Sequence, residues 1–321
     1  MKEKRVATPA PRSPVPLLPR IAVGDLRKDQ DISENELRQL VDLTLDLKRN
    51  PRRYASALEG RSIVLLFEKP SLRTRLTFEL AIQQLGGNAV SSIGPIGERE
   101  PVKDVARNVE RWTSGIVART FDQDTVDGLA EWAGVPVINA LSDLYHPCQA
   151  FADMVTLREH FGALQGLKLA FVGDGNNVAH SLMLSAARLG MNFSLATPPG
   201  YEANPHILAE AEELACAQGT RVEATHDPAE AVSGADAVYT DVWASMGHEH
   251  EAYERNVHFD AYRVDETLMA QAGPKAVFMH CLPAKRGQET TDAVMESPQS
   301  VVFDQAENRL HAQKALLLML L

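Results

Sequence analysis

Short apolar runs alternate with stretches of helical spacing along most of the chain. The run SIVLLF at 62–67 is aliphatic and partly β-branched, as a buried strand requires. Pro70 forbids continuing a strand ladder, Ser71 is a good N-cap, and the helical spacing that follows stops at Gly86-Gly87. Upstream, Ser33-x-x-Glu36 has the form of a capping box, with Leu37, Leu40, Val41, Thr44 and Leu47 at helical spacing behind it. Further strands are predicted at 89–92, 115–118, 135–139, 167–172, 192–196, 221–225, 235–240 and 276–279. Helices are predicted at 101–113, 126–133, 149–161, 178–189, 205–218 and 264–272, with a last one beginning near 306. Such alternation implies right-handed crossovers and parallel sheets. The expected fold class is α/β, with two doubly wound parallel-sheet domains at 21–148 and 149–305. The helix at 149–161 bridges them, and the C-terminal helix, 306–321, packs back on the first. Residues 1–20 carry five prolines and few large apolar residues, and read as a disordered tail.

Composition narrows the function. A chain of 321 residues can hold two ordinary domains, each with its own core. Its net charge of −11 argues against nucleic acid or an acidic membrane as partner, so an anionic ligand must be drawn by locally placed arginines. Cys148, Cys216 and Cys281 are odd in number and far apart, which fits a reducing compartment better than a disulfide framework. The apolar tail 315–321 is too short to span a bilayer, and no signal peptide is visible, so a cytoplasmic protein is expected. No metal site is expected, because His248 and His250 at i, i+2 do not share a helix face. No cofactor is expected either. The turn Gly173-Asp-Gly175 hints at a dinucleotide loop, but GxGxxG would need glycine at 178, where Val178 stands.

The chemistry-bearing residues fall at predicted strand ends. After 62–67, the stretch SLRTR at 71–75 opens a helix whose free N–H groups would meet the hydroxyls of Ser71 and Thr74 and the guanidinium groups of Arg73 and Arg75. That is a site for a phosphate dianion, and the planar arginine fork can hold two oxygens at once. Alone, the stretch would equally describe a capped surface helix with two solvated arginines. Arg119, His146, Asn177, Asp241 and Cys281 also lie on or just after strand ends, where open α/β sheets bind ligands. Each has a plainer reading: a turn for His146 and Asn177, an N-cap for Asp241, a small buried side chain for Cys281.

Six stretches together carry more than any one of them: SLRTR, HPCQ at 146–149, GDGNN at 173–177, DVWASMG at 241–247, HCLP at 280–283 and FDQAENRLH at 303–311. In this order they resemble the aspartate/ornithine carbamoyltransferase family over nearly everything from 37 to 316. The resemblance implies a carbamoyl-phosphate-binding domain followed by an ornithine-binding domain. It implies transfer of a carbamoyl group from carbamoyl phosphate to the δ-amine of L-ornithine, giving L-citrulline and phosphate, in arginine biosynthesis or in reverse in catabolism. By the same resemblance Ser71, Leu72, Arg73 and Thr74 hold the phosphate. Arg119 and His146 meet the carbonyl oxygen, Gln149 accepts from the carbamoyl NH2, and Arg309 reaches the same ligand. Cys281 and the Leu282 carbonyl lie at the δ-amine, Cys281 orienting or deprotonating it. Asn177, Asp241, Ser245 and Met246 hold the amino acid. A homotrimer, or an assembly of trimers, is implied as well. Leu72 departs from the family's usual threonine, a form shared with enzymes acting on N-acetylornithine and N-succinylornithine. With putrescine these are the alternative acceptors, while DVWASMG and HCLPAKRG point to free ornithine.

Overall fold

The computed structural model describes residues 17–69, 71–244 and 252–321, with the backbone alone at 252. The readings made for 1–16, Pro70, Ser245, Met246, His248 and His250 lie outside these residues. Helix α1 (Glu34–Arg49) opens on the anticipated capping box: Ser33 Oγ accepts from the Glu36 N–H, and Glu36 Oε2 accepts from the Ser33 N–H at 2.8 Å. There follow β1 (Ser62–Phe67), α2 (Leu72–Gln84), β2 (Asn88–Ile93), α3 (Val102–Val109), β3 (Gly115–Arg119), α4 (Gln123–Trp132), β4 (Val137–Leu141) and α5 (Pro147–Phe161). The second half continues with β5 (Lys168–Val172), α6 (Asn177–Arg188), β6 (Asn192–Ala196), α7 (Pro205–Ala217), β7 (Val222–Thr225), α8 (Pro228–Val232) and β8 (Ala237–Thr240). It closes with α9 (Ala252–Phe259), α10 (Glu266–Met269), β9 (Val277–His280), α11 (Asp292–Met295) and α12 (Val302–Leu320).

The strands form two wholly parallel sheets, ordered β2-β1-β3-β4 and β7-β6-β5-β8-β9. Each order reverses direction once, and the crevice at such a switch point is where α/β sheets take ligands. In the first sheet the β3–β4 register slips between Ala118 and Arg119, so that Arg119 pairs with Leu141. A bulge of this kind re-aims the side chain at a strand end.

Helix α12 starts four residues earlier than the sequence pattern suggests. Val302 belongs to a smaller core under the second sheet, while Ala315–Leu321 are buried in the large core that runs through both halves, from α1, β1 and α5 to β5, α6 and β9. There α12 packs on α1, α2 and α5. One helix thus carries residues from one sheet's edge to the other's. Leu18 also rests against the large core, within the stretch expected to be a tail. The short helices α8, α9 and α11 were not apparent from periodicity, because four to eight residues hold barely one or two turns of pattern. Among the described residues no helix is long and apolar enough to cross a membrane.

Candidate active site

Thr74, on the first turn of α2, is buried, and its Oγ1 accepts from two arginines. Arg309 Nη2 on α12 stands at 2.8 Å and Arg119 Nη1 at the end of β3 at 3.3 Å. The other arm of the Arg309 fork, Nη1, donates to Gln149 Oε1 on α5 at 2.8 Å. Arg73 is half-buried, and its charge is close enough to help lower the pKa of Arg119 and of Arg309. Arg75 does not join them. Two residues on in a helix is a rotation of about 200°, and Arg75 instead runs along α2 to pair with Glu79 at 3.8 Å. Ser71 holds the N-cap position with extended backbone, yet its side chain makes no capping bond, and Leu72 faces outward with 67% exposure.

Charge in this corner is one-sided. Among the described residues, no carboxylate forms an ion pair with Arg73, Arg119 or Arg309. Burial first, then Arg309 and Arg73, pull the Arg119 guanidinium down to about 10, and burial lowers Arg309 as well. The imidazole of His146 is held well below its ordinary value by burial, Arg309 and Arg119, so it is neutral and offers one N–H. Its Nδ1 and the Nε atoms of Arg119 and Arg309 are buried without hydrogen-bond partners. Unpaired donors around uncompensated positive charge suit an anion with several oxygens. Lys69, which the motif reading passes over, is buried with its ammonium 4.5 Å from the Phe121 ring and lowered by burial and by Arg119. Its signal in the sequence is its place in FEKP, directly before the phosphate-loop motif.

The second sheet's carboxyl ends supply the opposite character. Asp241, first after β8, accepts from the Cys281 thiol at 3.0 Å and the Val242 N–H at 2.8 Å on Oδ1, and from Asn176 Nδ2 at 2.9 Å on Oδ2. Burial and the adjacent Asp241 raise the Cys281 thiol well above its ordinary value, so it is a donor and not a thiolate. Asn176 caps α6 by accepting from the Val178 and Ala179 N–H groups. Asn177, the asparagine singled out by the sequence, donates to the Ser142 carbonyl at 2.6 Å. Leu282 takes a left-handed φ of 58°, unfavourable for leucine, and its N–H donates to His280 Nδ1 at 2.8 Å. Asp241, His280 and Cys281 bring ligand-type atoms within 4.8 Å of one another. Both ring nitrogens of His280 are already committed, Nε2 to Glu289 Oε1 at 3.2 Å, so the group reads as a hydrogen-bonded cluster and not a metal centre.

The Gly173-Asp-Gly175 turn is filled by protein. A Cβ on Gly175 would lie 2.3 Å from the Ala203 nitrogen, so the glycine admits the neighbouring chain and not a dinucleotide phosphate. Asp174 pairs with Arg255 at 2.7 Å.

The chain has known relatives over both halves. Residues 25–159 match the family model described as aspartate/ornithine carbamoyltransferase, carbamoyl-P binding domain, and residues 165–320 match that of the Asp/Orn binding domain. An ornithine carbamoyltransferase of Parafrankia sp. is 50% identical over 299 residues, covering 91% of this chain and 94% of that protein. The solved ornithine carbamoyltransferase of Pyrococcus furiosus is 46% identical, with a TM-score of 0.89, covering 94% of this chain and 96% of that one. That of Thermus thermophilus is 49% identical, with a TM-score of 0.84, over 93% and 99%. With both halves matched in order and a relative half identical over nine-tenths of the length, the chain belongs to the aspartate/ornithine carbamoyltransferase family.

Proposed function

We propose that the chain transfers the carbamoyl group of carbamoyl phosphate to the δ-amine of L-ornithine, giving L-citrulline and phosphate, EC 2.1.3.3. The observation that carries this is the convergence of Arg119 and Arg309 on Thr74, with Arg73 near enough to repel both, no carboxylate partner among the described residues, and the Nε donors of Arg119 and Arg309 unpaired. In the reading this supports, the phosphate lies at the start of α2, held by Ser71, Arg73 and Thr74 and by the backbone N–H of Leu72. Helix-terminal amides serve that purpose whatever the side chain. Arg119 and the N–H of neutral His146 face the carbonyl oxygen, and Gln149 Oε1, already turned by Arg309, accepts from the NH2. Asp241 takes the α-ammonium of ornithine, with Asn177, Ser245 and Met246 at its α-carboxylate end.

The neutral δ-amine attacks the carbonyl carbon, and negative charge builds on the carbonyl oxygen, where Arg119 and His146 stabilise it. The C–O bond to phosphate then breaks, and the departing phosphate takes the proton released by the nitrogen. Cys281, a thiol donating to Asp241, orients the amine together with the Leu282 carbonyl; held protonated, it offers no thiolate to act as the base.

An assembly of copies, with three as the family's number, is part of the proposal. Leu72, Leu76 and Leu80 follow one another at i, i+4, i+8 on α2, with exposures of 67, 41 and 42%. Val90 and Ile93 of the outer strand β2 are also exposed. An apolar stripe beside a free sheet edge fits burial by another copy. Three unpaired thiols fit a cytoplasmic setting. The deciding experiment is consumption of carbamoyl phosphate with ornithine, N-acetylornithine, putrescine and aspartate side by side. Turnover should be confined to ornithine, and efficient use of N-acetylornithine would move the assignment.

A further inference from the structure

Among the described residues His146 has no hydrogen bond from its ring, and Nδ1 is buried without a partner. It stands just before α5 with φ −135° and ψ 59°, a backbone conformation that its own side chain does nothing to fix. What holds it comes from another part of the fold. Its N–H donates to Ser181 Oγ at 2.8 Å, and Ser181 lies on α6, which follows the first strand of the second sheet. The Ser181 hydroxyl in turn donates to Asp29 Oδ2 at 2.5 Å, and all three residues are buried. Two more bonds join the same helix to the same loop: His180 Nδ1 meets the Leu144 carbonyl at 3.0 Å, and Asn177 Nδ2 donates to the Ser142 carbonyl. His180 Nε2 accepts from the Asn204 N–H at 3.0 Å, which fixes its ring as the neutral Nδ1–H form and makes it the donor to Leu144. The first turns of α6 therefore grip the loop 142–146 at three points, and the grip closest to the imidazole is Ser181.

We propose that Ser181, locked by Asp29, is a positioning residue for His146, aiming its imidazole at the carbonyl oxygen while touching no substrate itself. With the hydroxyl removed, the His146 N–H is left buried without an acceptor, and the φ/ψ of the residue bearing the imidazole is released. The phosphate end rests on α2, β3 and α12 and is untouched. The loss therefore falls on the chemical step and not on binding of the phosphate. This rests on the reading that His146 serves the carbonyl oxygen.

The test is a double-mutant cycle on the assembled enzyme with ornithine saturating. Ser181→Ala is expected to lower kcat at least tenfold while the Kd values for inorganic phosphate and carbamoyl phosphate stay within about twofold. In a His146→Ala background the same change should cost nothing further, because the group it positions is gone. Asp29→Leu should reproduce part of the loss, and Asp29→Asn, which keeps an oxygen for the Ser181 hydroxyl, should recover most of the rate. Should the alanine protein fail to fold, Ser181→Cys is nearly isosteric, accepts poorly, and reads the same loss. A kcat within twofold of the unaltered enzyme, or a loss that multiplies with His146→Ala, overturns the positioning role. If His146→Ala alone leaves kcat unchanged, the reading of His146 fails instead, whatever Ser181 does.

Discussion

Arg119 is held charged at a cost, and replacing it should stabilise the ligand-free protein. The residue is 6% exposed, has no carboxylate partner among the described residues, and lies beside two more arginines. A fall from 12.5 to about 10 corresponds to roughly 3 kcal/mol of unfavourable charge. Against that stands one hydrogen bond, to Thr74 Oγ1 at 3.3 Å, worth about 1 kcal/mol, and Thr74 keeps its shorter bond from Arg309. Arg119→Met fills the same volume without the charge, so the ligand-free variant should gain about 1–3 kcal/mol, raising its unfolding midpoint by several degrees. Ligand reverses the order. At a hundred times its Kd, carbamoyl phosphate or its phosphate end should add about 2.7 kcal/mol to the unaltered protein and almost nothing to the variant. The assay is thermal unfolding of both proteins with and without phosphate and carbamoyl phosphate, at one fixed ionic strength so that charge screening is the same in every arm. A ligand-free variant less stable by more than about 1 kcal/mol, or one that phosphate stabilises as well as before, would refute the view that this corner is destabilised for the sake of an anion.

Other outcomes follow from the same geometry. Arg73→Ala should weaken carbamoyl phosphate binding by roughly 2–5 kcal/mol, whereas Leu72→Thr, at an outward-facing position, should change it by less than about 1 kcal/mol; calorimetry showing similar effects would sink the helix-terminus account. Asp241→Asn should raise the ornithine KM by orders of magnitude and leave carbamoyl phosphate affinity near its starting value, and a shift confined to the latter would contradict the assignment. Asp153 is fully buried on α5, takes bonds from Gln149, Gln305 and Tyr239, and is raised by burial from 3.8 to about 7. The folded state therefore keeps a proton that the unfolded chain loses above pH 4, so this group's contribution to stability is present at low pH and lost as pH rises from about 4 to 7. Asp153→Asn, which does not titrate, should flatten the slope of unfolding midpoint against pH in that window, and an unchanged slope would count against it. Leu80→Glu should break the assembly into smaller species in sedimentation velocity, with an unaltered sedimentation coefficient as the contrary result.

Much of this molecule was legible in its sequence because secondary structure is written in local periods. The run SIVLLF needs only its own residues to announce a buried strand, and Ser33 with Glu36 needs only three positions to build a cap. The site residues were found chiefly because six short stretches, in order, resemble those of one family, and several of them fall at strand ends, which can be predicted. Tertiary structure decided which of those residues meet. Arg309 reaches Gln149 across 160 residues and Thr74 across 235, because α12 returns from the second sheet to lie on the first. Arg75, two places from Arg73 and identical to it in type, was turned away by the helix it sits on. The hold on His146 arrives from Ser181, 35 residues on, and through it from Asp29, 152 residues before that serine, neither of which belongs to any motif. A local pattern can name a donor or an acid, but the partner of a buried polar group is set by strand order and crossover, which no period within the chain records.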